Sequence, residues 1–193
     1  ELAGIGSRHL LNAWGDAFER YKKEVGQIWV THANLSDQGE KESVRIRILN
    51  YLKAGVIPII NENDVVSDKE IRWMEQGISE NDMLTRRIAE LIQADGVLFL
   101  TDVGGVYEDD PSENPQARLY EEVASTDVIP KSQSTSSRLF GKGGMKAKLE
   151  EAIQCFKVGM RVAIAGNEKD VILKFARGEC VGTTIGTVTR FKR

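Results

Sequence analysis

Four short polar stretches carry the residue types that could do chemistry. Asn61-Glu62-Asn63-Asp64 offers amides and carboxylates suited to an amine, a hydroxyl or a metal, although Asn and Asp are also ordinary turn formers. Ser79-Glu80-Asn81-Asp82 stands where a helix begins, so helix capping explains part of it. Thr101-Asp102 closes an apolar run and leads into Gly104-Gly105, where glycines permit either a tight turn or a close backbone approach to a ligand. Gly141-Lys142-Gly143-Gly144-Met145-Lys146-Ala147-Lys148 is the most informative stretch. Glycines at a helix start expose N–H groups, the dipole there favours anions, and three lysines add positive charge. The spacing is not that of a Walker A loop, which needs Gly-x-x-x-x-Gly-Lys followed by Ser or Thr. Taken together, the four stretches point to phosphoryl transfer, in which lysines neutralise the moving charge and an aspartate orients them or meets Mg²⁺.

Periodicity places these stretches on a scaffold. Leu10, Trp14, Phe18 and Tyr21 mark an opening amphipathic helix, and Ile28–Thr31 a short strand. Val44, Ile48 and Leu52 mark a second helix, which Gly55 ends. Val56–Ile60 reads as a buried strand despite Pro58, which has no N–H to give a ladder. Leu84, Ile88 and Leu91 form a helix before the strand Gly96–Leu100. Leu149, Ile153 and Phe156 form another before the strand Arg161–Ala165, and a short helix follows through Val171 and Phe175. Strands separated by helices predict a three-layer α/β/α sandwich with a mainly parallel sheet. Ligands of such folds gather at the carboxyl ends of the strands, where the polar stretches fall. The 193 residues fit a single domain.

Bulk properties narrow the classes. A net charge of -3 argues against general nucleic-acid binding. No apolar run approaches the roughly 20 residues that span a bilayer. The start Glu1-Leu2-Ala3-Gly4 lacks the pattern of a signal peptide, so the cytoplasm is expected. Cys155 and Cys180 are too few for a disulfide framework, and His9 and His32 have no metal-ligand spacing, so no protein-held metal site is expected. Glu1 in place of Met suggests a fragment.

Pro58-Ile59-Ile60-Asn61-Glu62-Asn63-Asp64, Glu80-Asn81-Asp82, Leu100-Thr101-Asp102 and Gly141–Lys148 occur in the order found in the glutamate 5-kinases, a group within the amino acid kinase family that this chain resembles. Asp109-Asp110-Pro111 and Asn114-Pro115-Gln116-Ala117 extend the resemblance. It implies ATP-dependent phosphorylation of the side-chain carboxylate of L-glutamate, with Mg²⁺, as the first step of proline synthesis. It further implies that Asp64 and Asn81 bind glutamate, with Asn61, Glu62 and Asn63 shaping the pocket. Asp82 would organise the catalytic lysines and Lys148 would stabilise the transferring phosphoryl group. Thr101, Asp102, Gly141, Lys142, Gly143, Gly144 and Met145 would join Lys148 in contacting the nucleotide. The segment after Asp64, including Trp73, matches a region linked to proline feedback and subunit contacts, so a homo-oligomer is implied. The chain departs from the family pattern at Lys142 and Ala147, where hydroxyl residues are usual, and shows no PUA domain. It also shows neither the Lys-Leu-Gly strand nor the Ser-Gly-Ala motif that open family members. The expectation is therefore a domain lacking its N-terminal portion, with little activity alone. A related kinase for another acid and a non-catalytic nucleotide binder are the alternatives.

Overall fold

A computed structural model describes residues 2–63, 80–128 and 144–191. They fall into two compact units, residues 1–72 and 73–193.

The first unit contains α1 (Leu2–Glu19), β1 (Val25–Val30), α2 (Gln38–Lys53) and β2 (Ile57–Glu62). Asp37 caps α2, its Oδ1 accepting the Glu40 N–H at 2.9 Å. At the other end Gly55 takes φ 75°, the left-handed value that stops a helix, as its position in the sequence suggested. β1 and β2 are parallel, with Val25 opposite Ile57 and Val30 opposite Glu62. Ile57 N–H donates to Glu24 O and Asn63 N–H to Val30 O, both at 2.8 Å, so the odd-numbered residues face β1. Pro58 therefore deletes no bond to β1, which is how a strand tolerates it. Gly26 has a packing reason: a Cβ there would run into the Tyr51 ring of α2. The opening helix ends at Glu19, before Tyr21, and leaves Leu10 and Trp14 exposed.

The second unit contains α3 (Glu80–Ile92), β3 (Gly96–Thr101), β4 (Tyr120–Val123), α4 (Gly144–Lys157), β5 (Arg161–Gly166), α5 (Val171–Ala176), β6 (Thr183–Ile185) and β7 (Arg190–Phe191). Its sheet has the order β3-β5-β6-β4-β7. β3 with β5 and β4 with β6 are parallel, whereas β5 with β6 and β4 with β7 are antiparallel. Across both units the pairings are mostly parallel, as expected, and the antiparallel ones come from short strands that apolar periodicity does not reveal. β5 alternates cleanly. Val162 and Ile164 join Val97, Phe99, Leu149, Ala152 and Cys155 in the main core, while Ala163 and Ala165 pack with Val171 and Val181 on the opposite face. Helices α3 and α4 thus cover one face of the sheet and α5 the other, which is the expected three-layer arrangement.

The loop after β3 is held by one buried hydroxyl. Thr183 Oγ accepts the Val106 N–H at 2.9 Å and donates to Tyr120 O at 2.7 Å. Gly182, at φ 51°, lets that strand start against the backbone of Ile164 and Ala165, where a Cβ would collide.

Candidate active site

Short connections fix which ends meet in the second unit. Only residues 93–95 join α3 to β3, and only 158–160 join α4 to β5. Each helix must therefore run back along the strand that follows it. The N-termini of α3 and α4 consequently lie at the edge where β3 and β5 present their carboxyl ends. Asp82 is on the first turn of α3 and Lys148 lies just beyond the first turn of α4.

These two side chains meet. Lys148 Nζ is 2.6 Å from Asp82 Oδ1, and both groups are largely withdrawn from solvent, with side-chain exposures of 18% and 9%. The ammonium also lies 5.7 Å from the centroid of the buried Phe99 ring on β3. Capping alone would have left Asp82 facing its own helix, but its carboxylate reaches a residue 66 positions away. The pairing costs desolvation that the mutual attraction offsets, and it holds a cation at a strand edge next to two helix N-termini.

The remaining predicted residues divide by element. Thr101 ends β3 opposite Gly166, and Asp102 follows at the same carboxyl edge. Asn81 is exposed on the first turn of α3, and its carbonyl accepts the Thr85 hydroxyl at 2.7 Å. Gly144 opens α4 with φ 35°, and Met145 packs its side chain against the main core, leaving only its backbone for a ligand. In the first unit, Asn61 and Glu62 are the last residues of β2, and Asn63 extends the ladder by its bond to Val30. Asn61 Nδ2 donates to Glu62 O at 3.2 Å. Asn63 Oδ1 is buried and has no hydrogen-bond partner among the described residues, an energetic cost that a donor-bearing ligand would relieve. Asp64, Gly141, Lys142 and Gly143 lie outside the described residues.

Two polar groupings escaped the sequence reading. At the carboxyl end of β1, Asn34 Oδ1 accepts both the backbone N–H and the hydroxyl of Thr31, at 2.7 and 2.9 Å, and Asn34 Nδ2 donates to Glu40 at 2.6 Å. Between α3 and α4, Arg86 Nε meets Glu151 at 2.5 Å and Arg86 Nη1 meets Glu90 at 2.9 Å. The spacing of Arg86 and Glu90, four apart on a helix, signals the second contact; nothing in the sequence signals the first. Burial works to lower the Arg86 pKa, yet the hydrogen bonds to Glu151 and Glu90 hold it above the ordinary guanidinium value. Among the described residues no group of three His, Cys, Asp or Glu side chains could hold a metal ion, and no helix is long and apolar enough to cross a membrane.

Comparison with known proteins bears on the family and the fold. The chain is 41% identical over 184 residues to a protein of Dehalococcoides mccartyi named glutamate 5-kinase, covering 94% of this chain and 49% of that one. It is 36% identical over 191 residues to the glutamate 5-kinase of Herpetosiphon aurantiacus, covering 97% and 50%. The chain thus spans about half the length of the curated relatives it matches. Among solved structures, isopentenyl phosphate kinase superposes with a TM-score of 0.59 at 19% identity, covering 93% of this chain and 66% of that one. The aspartokinase III of E. coli, in complex with aspartate and ADP, gives 0.54 at 16% identity, covering 92% and 38%. Those two likenesses establish the fold. The family model described as amino acid kinase family matches residues 1–166. The chain belongs to the amino acid kinase family.

Proposed function

We propose that this chain is part of a kinase that transfers the γ-phosphoryl group of ATP to the side-chain carboxylate of L-glutamate, giving glutamyl 5-phosphate and ADP, the first step of proline biosynthesis. The observation that carries the kinase reading is the Lys148–Asp82 pair at the carboxyl edge of β3 and β5. The choice of glutamate rests on relatives of that name at 36–41% identity and on the Asn61–Asp64 motif.

In this reading a glutamate carboxylate oxygen forms the new bond to phosphorus while the bond to the ADP oxygen breaks. Negative charge is spread over the transferring phosphoryl group, and a preplaced ammonium stabilises it without reorganisation. Lys148 supplies that charge and Asp82 fixes where it sits. Thr101, Asp102 and the backbone of Gly141–Met145 contact the nucleotide. Asn81, Asp64 and Asn61–Asn63 take the amino acid, and Asn63 Oδ1, without a partner among the described residues, is an acceptor that an α-ammonium group would use. Mg²⁺ neutralises phosphate charge when bound. The donor set here, with no three-ligand cluster among the described residues, fits an ion held mainly by the phosphates and water. The reading includes a single amino acid kinase-like domain over residues 1–193, a cytoplasmic homo-oligomer, and proline inhibition through the segment after Asp64.

The test is ADP release and acyl-phosphate trapping with hydroxylamine, using ATP, Mg²⁺ and glutamate, in the full-length gene product and its K148M variant. We expect glutamate-dependent hydroxamate in the parent and a fall of about 10²–10³-fold in kcat in K148M, the scale for losing a charge-stabilising donor. Wild-type turnover in K148M, or turnover of another acid with none of glutamate, would sink the reading.

A further inference from the structure

Asp82 and Lys148 are the first of two rungs between α3 and α4. The second rung, Arg86 to Glu151, stands about one helical turn farther from the helix N-termini, about 6 Å along α3 and about 4.5 Å along α4. Both rungs run in the same sense, residue 82 to 148 and residue 86 to 151, so the helices are parallel and their axial register is set twice. Core packing and these two contacts at different heights together set the rotation and register of α4.

The chemistry of the second rung suits that task. Arg86 is held from both sides, by Glu90 on its own helix and Glu151 on the other, so the guanidinium plane cannot swing freely. Its side chain is 23% exposed and that of Glu151 20%, which shields the contact from the screening that weakens surface pairs. A guanidinium fork also fixes angle as well as distance. Behind the rung, Leu149, Ala152 and Cys155 are fully buried, so any shift of α4 must move the core.

We infer that Arg86 and Glu151 form a positioning pair that sets the location of the Lys148 ammonium during phosphoryl transfer. Neither residue touches the reacting atoms; they act by fixing the rotation and register of α4. The inference rests on the kinase reading above and adds to it the residues that make Lys148 effective. A displacement of about 1 Å in a catalytic group costs as much as 10²-fold in rate, so a loosened α4 is expected to show in kcat.

The experiment measures kcat and both KM values in the full-length gene product for R86M and for E151Q, each also placed in the K148M background. We expect kcat to fall on the order of ten-fold in each single variant, with KM for ATP and glutamate within about twofold. In the K148M background the same changes should leave the residual rate within about twofold, because the group they position is gone. Unchanged kcat in both R86M and E151Q overturns the inference. So does an equal fold-loss with and without Lys148, which would mark a general structural effect. If R86M fails to fold, E151Q carries the same comparison. Wild-type turnover in K148M would overturn the kinase reading itself, whereas loss in K148M beside full kcat in R86M and E151Q overturns the positioning role alone.

Discussion

Cys155 sits two helical turns beyond Lys148 on α4, fully buried, whereas Cys180 is exposed. Burial pushes the Cys155 thiol from 9.0 up to about 11; Glu90 adds to the rise, Arg86 opposes it and Glu151 adds to it. The thiolate is the reactive form, so the two cysteines should behave oppositely. Titration of the native protein with a thiol reagent at pH 8 should modify Cys180 promptly and Cys155 only after denaturation. The same shift bears on stability. A thiol that holds its proton more tightly when folded contributes stability that is intact below pH 9 and lost as pH rises through about 11. Denaturant midpoints should therefore decline across that window, and a C155A variant should decline less steeply there.

At the scale of elements, the loop between β3 and β4 depends on Thr183 rather than on its own residues. Replacing Thr183 with Val keeps the shape but removes the acceptor of the Val106 N–H and a donor to the Tyr120 carbonyl, at a cost of about 1–3 kcal/mol. Thr183→Val should lower the melting temperature and, because the loop starts at Thr101 and Asp102, weaken ATP binding measured by calorimetry. Gly182→Ala should be worse. Its positive φ and the collision with Ile164 and Ala165 together cost on the order of 2–4 kcal/mol, read as a shift in the denaturant midpoint.

These elements also show what sequence could and could not reveal. α2, α3, α4, β3 and β5 were legible because their apolar residues repeat at helical spacing or form unbroken runs. β4, β6 and β7 were not, since Tyr-Glu-Glu-Val, Thr-Thr-Ile and Arg-Phe are too short to carry a period. The exposed apolar side chains of α1 follow the helical spacing that was read, yet spacing alone does not say what covers them. At the site, Asp82 read by itself was an ordinary capping residue. The resemblance of the surrounding motifs gave it the lysines as partners, and the fold supplies the contact with Lys148 at 2.6 Å. Arg86 and Glu151 were invisible because a contact across 65 residues depends on how two helices are rotated.

For the whole molecule, the residues assigned to the nucleotide fall in unit 73–193, and Asn61–Asp64 fall in unit 1–72. Hydrogen exchange should separate them. A non-hydrolysable ATP analogue should slow amides around 102–106 and 145–148, and glutamate should slow those at 61–63. Ligand at a hundred times its Kd should also stabilise the fold by about 2.7 kcal/mol. Protection by the nucleotide confined to 61–63 would contradict the assignment.

The strand order β3-β5-β6-β4-β7 has a further consequence, for synthesis. β6, made of residues 183–185, lies between β5 and β4, so β4 cannot join β5 in the sheet until residues 183–185 are made. A nascent chain on the ribosome must keep Glu122 and Val123 from their β6 partners for some sixty residues of elongation, several seconds at ordinary speeds. That interval makes this unit slow to mature, since its closing contacts join segments far apart in the chain, and it leaves the half-made sheet open to chaperone capture until Ile185 emerges.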